Sequence, residues 1–305
     1  MSELLAFIDL GSNAVRCLLV RVTPGVGFEV LRQERVQTRL GGGRPGMLPQ
    51  TSVKETLATV RRFLREVRKE NQPRVLAIAT AAVREATNRD DLLATLKRSD
   101  GVEVRVLSGE EEAHLGTFAA LRSLSFRNGV VVDLGGGSLQ VTQVREGDIG
   151  SPASVPLGAV RTTQRFLNND PPTERELLVL REEIKRYLSP ILPPVHEGQE
   201  LIGLGGTVRT LASMHLATLG GPGQSRQGFR LRWSDITRLR ERLEKLPIRD
   251  RRCVPGLKTE RADIILAGVV VVEEVMNLGS YRNLTVCKEG VRHGLLLHET
   301  FNGSA

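Results

Sequence analysis

Aromatic residues make up only 4% of the chain and Trp occurs once, so the stacking platforms that hold single-stranded nucleic acid are scarce. Three scattered cysteines, Cys17, Cys253 and Cys287, make neither a disulfide framework nor a paired zinc pattern. No apolar run is long enough to cross a bilayer. No basic leader precedes an apolar segment at the start, where Leu4–Asp9 already reads as a strand. His114, His196, His215, His293 and His298 lack paired ligand spacing and read as non-metal residues. These absences lead to the expectation of a cytoplasmic protein with no membrane and no specific nucleic acid among its partners.

What is abundant is positive charge. With 43 Lys and Arg against 35 Asp and Glu, the formal charge is +8, a field that attracts polyanions but does not choose among them. The hydrophobic fraction of 40% is that of an ordinary soluble protein, and 305 residues suggest two domains rather than one core.

The patterning divides accordingly. Leu4–Asp9, Val15–Val22 and Phe28–Thr38 read as successive strands, followed by a loop at Gly41–Gly46. A helix opens at Ser52, whose Ser52-x-x-Glu55 spacing fits a capping box, and Arg74–Thr80 is a buried strand. Asn88 is expected to cap a helix through Leu96, and Val102–Leu107 precedes a helix over Gly109–Leu121. The pattern then restarts with strands at Gly129–Leu134, Leu139–Val144 and Ala153–Leu157 and helices at Ala159–Phe166 and Thr173–Leu188, the second opening on the capping-box spacing Thr173-x-x-Glu176. Glu200–Leu204 runs into a helix from Thr207, and Gly220–Arg232 reads as a loop. Helices at Ser234–Lys245 and Glu260–Leu278 and a strand at Leu284–Cys287 come last. The opening motifs match, Phe7-Ile8-Asp9-Leu10-Gly11-Ser12 against Val131-Val132-Asp133-Leu134-Gly135-Gly136, which indicates an internal duplication. The expected boundary lies near Ser123–Asn128, giving domains 1–125 and 126–305 with a cleft between them.

Each Asp-Leu-Gly turn puts a carboxylate beside bare backbone. Glycine lets N–H groups approach a phosphate, and the carboxylate can hold a hydrated cation against it. One such turn is an ordinary β-turn; two copies at matching places suggest function. Gly135-Gly136-Gly137-Ser138 strengthens the second, because three glycines weaken a strand without some return. Gly205-Gly206-Thr207 opens a helix whose N–H groups could face an anion, although tight strand–helix packing explains it equally well. In Ser108-Gly109-Glu110-Glu111-Glu112, the Ser108-x-x-Glu111 spacing fits a capping box, which occupies Glu111 and leaves Glu112 clear of that duty. Arg84, just past a buried strand, could clamp a phosphate with two parallel bonds or remain a surface residue. The basic cluster Arg249, Arg251 and Arg252 and the loop residues Arg226, Arg230 and Arg232 read as solvated surface, with a share in a polyanion track as the alternative.

The run Asp9–Arg16, with Ala79–Arg84, Ser108–Ala113, Val132–Ser138, Gly203–Leu211, Arg261-Ala262-Asp263 with Ala267-Gly268, and Glu289–Leu297, resembles the motifs of the exopolyphosphatase / guanosine pentaphosphate phosphohydrolase family, in that family's order. The resemblance implies an α/β protein of two ribonuclease-H-like domains of the actin-like ATPase superfamily, with an interdomain active-site cleft, in the short two-domain form. It implies Glu112 as catalytic base and Arg84 as the phosphate-binding arginine. It further implies Asp9 and Asp133 as metal-associated aspartates, and Ser12, Asn13, Gly135, Gly136, Gly137, Ser138, Gly206 and Thr207 as phosphate-loop residues. Mg²⁺ or another divalent cation such as Mn²⁺ would be the cofactor, and the resemblance leaves room for a homodimer. Two departures stand out. Ser138-Leu139-Gln140 replaces a common Ser-Thr-Glu, with Gln140 resembling the water-positioning glutamine of apyrases, and Arg292-His293-Gly294 replaces Arg-Glu-Gly.

The implied reaction is Mg²⁺-dependent, in-line attack of water on a terminal phosphorus of inorganic polyphosphate. Guanosine pentaphosphate is the competing substrate. Two other classes remain open at this point: an actin-like ATPase or sugar kinase, and a catalytically weak regulator that binds alarmones or polyphosphate.

Overall fold

The computed structural model describes residues 2–23, 25–70, 73–193, 196, 198–219 and 225–302. They form two compact units, one of residues 1–112 with 292–305 and one of residues 113–291. The division falls inside a helix rather than at the expected boundary of 125/126, and the last helix joins the first unit.

The first unit is built on a sheet of order β3-β2-β1-β4-β5. Its strands are β1 (Glu3–Leu10), β2 (Val15–Thr23), β3 (Gly27–Val36), β4 (Arg74–Ala79) and β5 (Val104–Val106). β1, β2 and β3 run antiparallel, while β4 lies parallel to β1 and β5 parallel to β4. Central β1 is buried from Leu5 to Leu10, as its near-continuous apolar run requires. Edge strand β3 alternates Glu29, Arg32 and Glu34 with its exposed apolar residues, which blunts its unpaired side. Helix α1 (Gln50–Val67) lays Val60, Phe63, Leu64 and Val67 on the core. A single turn, α2 (Ala81–Arg84), and helix α3 (Arg89–Asp100) follow, and α4 (Gly109–Ser123) leads into the second unit.

Counted from its own first strand, the second unit has the order 3-2-1-4-6-5, which repeats that of the first once the added edge strand, its fifth, is set aside. β6 (Gly129–Leu134), β7 (Leu139–Arg145), β8 (Asp148–Val155), β9 (Glu200–Leu204), β10 (Arg230–Arg232) and β11 (Asn283–Val286) form a sheet of order β10-β11-β9-β6-β7-β8. Helices α5 (Ala159–Phe166), α6 (Glu174–Leu188), α7 (Gly205–Thr218), α8 (Trp233–Glu244), α9 (Ile248–Arg251) and α10 (Ile265–Leu278) accompany it. α10 is apolar all round and buried along nearly its whole length, as that composition demands. Its two acids, Glu273 and Glu274, are buried but paired: Arg181 of α6 bonds both, and Arg240 of α8 reaches Glu273.

Several local expectations need correction. α1 starts two residues before Ser52, whose hydroxyl instead bonds the Arg39 carbonyl, so no capping box forms there. Asn88 precedes α3 without capping it, because its amide pairs with the backbone N–H and carbonyl of Leu48. The last long helix of the second unit begins at Ile265, not Glu260, with a separate turn over Thr259–Arg261 before it. Of the stretch read as a loop over Gly220–Arg232, residues 220–224 lie outside the described residues and Arg230–Arg232 form β10. Arg251 is not solvated surface: it is 2% exposed, with Nε on the Leu243 carbonyl and the charges of Asp170 and Asp263 acting on it.

A helix with no counterpart in the sequence reading, α11 (Val291–Asn302), closes the chain. Leu295 and Leu296 are buried, Glu299 pairs with Arg74 at 2.6 Å, and the Thr300 carbonyl accepts from Gly25 N–H. No helix among the described residues is long and apolar enough to cross a membrane.

Candidate active site

In the first unit, β1 and β2 are joined by a four-residue turn that brings Asp9 directly opposite Arg16. Arg16 Nη1 donates to Asp9 Oδ2 at 3.0 Å, and Arg292 of α11 approaches the same oxygen at 3.8 Å. Gly11 N–H closes the turn on the Ala14 carbonyl, while Gly41 and Arg39 donate to the carbonyls of Ser12 and Asn13. A Cβ on Gly41 would lie 2.9 Å from that of Ser12, so the glycine permits this close approach. Ser12 and Asn13 are both buried. The Asn13 carbonyl oxygen accepts from Gln37, but its Nδ2 is buried with no partner among the described residues. An orphaned donor in a buried turn is costly unless something accepts from it, and a phosphate oxygen would do so.

Beyond β4, turn α2 carries Arg84, which donates from Nη1 to the Leu107 carbonyl at 2.8 Å and to Glu112 Oε1. Glu112 is only 6% exposed. Its neighbour Glu111 does form the capping box: it accepts from Ser108 N–H at 2.7 Å and donates its own N–H to the Ser108 hydroxyl at 3.0 Å. That backbone bond, helped by Arg105, holds the Glu111 carboxyl below the ordinary glutamate range despite some desolvation. Two adjacent glutamates thus have different partners: Glu111 the helix cap and the exposed Arg105, Glu112 the Arg84 guanidinium.

In the second unit the equivalent turn, Gly135–Ser138, joins β6 to β7 and is closed by Gly135 N–H on the Ser138 carbonyl. The residue opposite Asp133 is Gln140. Gln140 is buried and donates to the hydroxyls of Ser138, at 2.6 Å, and Ser154, at 3.2 Å. The first N–H groups of α5 bond the carbonyls of Gly135 and Gly136. A Cβ at Gly158 would fall 2.3 Å from the carbonyl carbons of Gly136 and Gly137, so α5 sits hard against the glycine loop.

Around Asp133 the space is defined by glycine. A Cβ would lie 2.9 Å from its carboxylate at Gly205, 3.5 Å at Gly116 and 3.6 Å at Gly290. Gly205 also has a φ of +94°, which an L side chain rarely adopts, and its Cβ would strike the Leu134 carbonyl. Gly206 and buried Thr207 open α7, and the guanidinium of Arg261 lies on Gly206, 1.9 Å from where a Cβ would be.

Arg16, Arg261 and Arg292, which stood inside the quoted motifs without a role of their own, gain partners here. The Asp9–Arg16 pairing was readable, because seven positions across a four-residue turn are cross-strand neighbours. The contact of Arg261 with Gly206 and that of Arg292 with Asp9 join positions far apart in sequence, which motif reading does not pair.

No group of three His, Cys, Asp or Glu among the described residues could hold a metal by itself. A hard cation that takes one or two carboxylates and completes its shell with water and substrate phosphate fits the glycine-lined oxygen site at Asp133. The buried thiols are poor nucleophiles: burial pushes Cys17 up to about 12 and Cys287 up to about 11.

A family profile described as the Ppx/GppA phosphatase family matches residues 18–302. The chain is 30% identical to Exopolyphosphatase 1 of Mycobacterium leprae over 97% of its own length and 89% of that protein's. It is 29% identical to Exopolyphosphatase 2 of Mycobacterium tuberculosis, covering 96% of this chain and 97% of the relative. The solved structure of the Aquifex aeolicus Ppx/GppA family member superposes with a TM-score of 0.82 at 28% identity, covering 100% of both chains. The repeated 3-2-1-4-5 sheet, the paired Asp-Leu-Gly turns and a match along nearly the whole length agree, and the chain belongs to the Ppx/GppA phosphatase family of phosphoanhydride hydrolases.

Proposed function

We propose that the chain releases orthophosphate from the end of inorganic polyphosphate, with Glu112 activating water and Arg84 binding the phosphoryl group under attack. The observation that carries this reading is the contact between Arg84 and the buried Glu112. A terminal phosphate arriving at Arg84 competes with Glu112 for the same N–H groups. With Arg84 turned to the phosphate, Glu112 takes a proton from the attacking water. Arg84 then offsets charge developing on the transferring group. Relatives named exopolyphosphatase and the +8 charge support polyphosphate as the polyanion.

The remaining roles follow from the two turns. Ser12 and the unpaired Asn13 amide hold phosphate oxygens in the first unit; Gly135–Ser138 and the Gly206–Thr207 helix start do so in the second. Gln140 fixes the Ser138 hydroxyl and, through its carbonyl side, orients water. Asp133 would hold a divalent cation together with substrate oxygens, and that cation, when bound, supplies neutralising charge. Asp9 orients Arg16 and Arg292 beside the phosphate-binding turn of the first unit. Action in the cytoplasm fits three free cysteines, of which Cys17 and Cys287 are buried and Cys253 is exposed.

The test is phosphate release from polyphosphate, guanosine pentaphosphate and ATP, each with and without Mg²⁺. Mg²⁺-dependent release that is fastest from polyphosphate is expected. Faster release from guanosine pentaphosphate would move the substrate to the alarmone, and release from none of the three would leave a regulator.

A further inference from the structure

The single Trp of the chain lies outside all of this chemistry. Trp233, the first residue of α8, is 42% exposed. Its indole N–H donates to Asn277 Oδ1 at 2.7 Å, and Asn277 in turn donates to Glu274 at 3.3 Å, so the ring is tethered despite its exposure. It forms one wall of an open cavity of about 520 Å³, lined also by Arg232, Asn277, Tyr281, Arg282 and Asn283. Arg232 and Asn283 face each other across the β10–β11 pair, and Trp233 N–H donates to the Arg282 carbonyl, so the walls are rigid elements of one unit.

Three properties of this cavity point to a ligand. The guanidinium groups of Arg232 and Arg282, both in the lining, have no ion-pair or hydrogen-bond partner among the described residues, whereas the adjacent Arg230 pairs with Glu200. The neighbouring acids are engaged elsewhere: Asp235 accepts from Arg232 N–H and faces His215, while Glu274 pairs with Arg181. Tyr281 is 4% exposed, and its hydroxyl is buried with no partner among the described residues.

The cavity is also distinct from the glycine loops. Those loops follow the carboxyl ends of β6 and β9, at Leu134 and Leu204, whereas Asn283 begins the parallel strand β11. The pairing of Thr285 with Ile202 sets Asn283 level with Glu200, four residues back from Leu204. At about 3.3 Å per residue that is roughly 13 Å along the sheet, before any lateral offset.

We propose that this cavity binds a nucleotide, with a planar base stacked on Trp233 and its phosphates between Arg232 and Arg282. A fixed indole face and two unpaired guanidiniums are the chemistry that recognises a ring carrying phosphate, and 520 Å³ lies within the range of small-ligand pockets. Inorganic polyphosphate would satisfy the arginines but not the indole.

Because Trp233 is the only Trp, fluorescence excited selectively at tryptophan reports on this cavity. The probes are β,γ-imido analogues of ATP and GTP, which cannot lose the terminal phosphate, with inorganic tripolyphosphate alongside. Saturable quenching is expected with half-saturation below about 1 mM, weakened about tenfold or more in the Arg232→Gln/Arg282→Gln double variant. Trp233→Phe should weaken binding of a fluorescently labelled nucleotide measured by anisotropy. Arg282→Gln should hydrolyse polyphosphate at the wild-type rate, separating this cavity from the hydrolytic site. Quenching that rises linearly without saturating, or that survives in the double variant, overturns the proposal. Competition by tripolyphosphate as strong as that by the analogues also overturns it, since a base would then add nothing.

Discussion

The two Asp-Leu-Gly turns occupy the same place in the same sheet order, yet they hold their aspartates in opposite ways. Both join a central strand to its antiparallel neighbour through four residues, and both are closed by the glycine N–H on the fourth carbonyl. In the first unit the cross-strand neighbour of Asp9 is Arg16, and α11 brings Arg292 as well, so the carboxylate is buried between cations. In the second unit the neighbour is Gln140, and the Asp133 carboxylate is ringed by Gly116, Gly205 and Gly290. The same scaffold thus sets a cation across from one aspartate and a neutral amide across from the other, and α11 adds a second arginine to the first.

The largest effect should come from the charge-paired side. Glu112→Gln should cut polyphosphate hydrolysis by about 10²–10⁴-fold while substrate binding stays near the wild type, because amide and carboxylate are isosteric. Glu111→Gln should lose far less, since glutamine still serves a capping box. A dead Glu111 variant beside an active Glu112 variant would reverse these assignments. Steady-state rates with an independent binding measurement decide the matter.

The contrast between the aspartates is sharpened by titrating Mg²⁺. Asp133→Asn should raise the Mg²⁺ concentration needed for half-maximal activity several-fold, since a carboxylate is removed from the glycine-lined site. Asp9→Asn should instead lower activity at every Mg²⁺ concentration, because it releases Arg16 and Arg292. Equal Mg²⁺ shifts for the two variants would erase the distinction and make both aspartates metal ligands in the same sense.

Stability should show the role of room on the second turn. Gly205→Ala places a Cβ 2.3 Å from the Leu134 carbonyl at a φ of +94°, so unfolding free energy should fall by more than about 1 kcal/mol. Gly101→Ala, at a φ of +66° with nothing within 4 Å, should cost less, because only backbone strain applies there. Denaturant midpoints at constant slope would show the order, and equal losses would mean that the steric contact is relieved at no expense.

The smallest expected effect is a pH dependence at the start of α4. The Glu111 carboxyl titrates below its ordinary range because Ser108 N–H, ahead of desolvation and Arg105, favours its charged form. A depressed folded-state value stabilises the protein above the unfolded glutamate pKa of about 4.3, and that gain is lost as pH falls through the folded value. Thermal melts should therefore separate wild type from Glu111→Gln at neutral pH and converge in acid. A constant gap across that range would mean that the cap does not depend on charge.

Much of this molecule was legible along the chain because the signals were local. Residues between Leu4 and Val36 alternate in runs and turns that can hardly be anything but strands, and the Thr173–Glu176 capping box forms as its spacing implies. The two Asp-Leu-Gly turns declared the duplication, and Ser108-x-x-Glu111 separated a capping glutamate from its neighbour. Ser52 and Asn88 misled for the opposite reason: each has the chemistry of a cap, but contacts with Arg39 and Leu48, distant in sequence, claimed the side chain first. Arg251 looked like surface beside Arg249 and Arg252, and only the packing of α9 shows it to be buried.

Sequence alone determined which residues could bind phosphate, because glycine runs, buried-strand aspartates and an acidic helix start are properties of short segments. Tertiary structure decided which partner each one took. Asp9 gains its second arginine, Arg292, only because α11 returns to the first unit, and Arg261 lies on Gly206 from the turn that precedes α10. Those pairings depend on contacts between positions tens to hundreds of residues apart, and the free energy of such a contact is set by the burial and geometry of both partners, which neither segment encodes by itself.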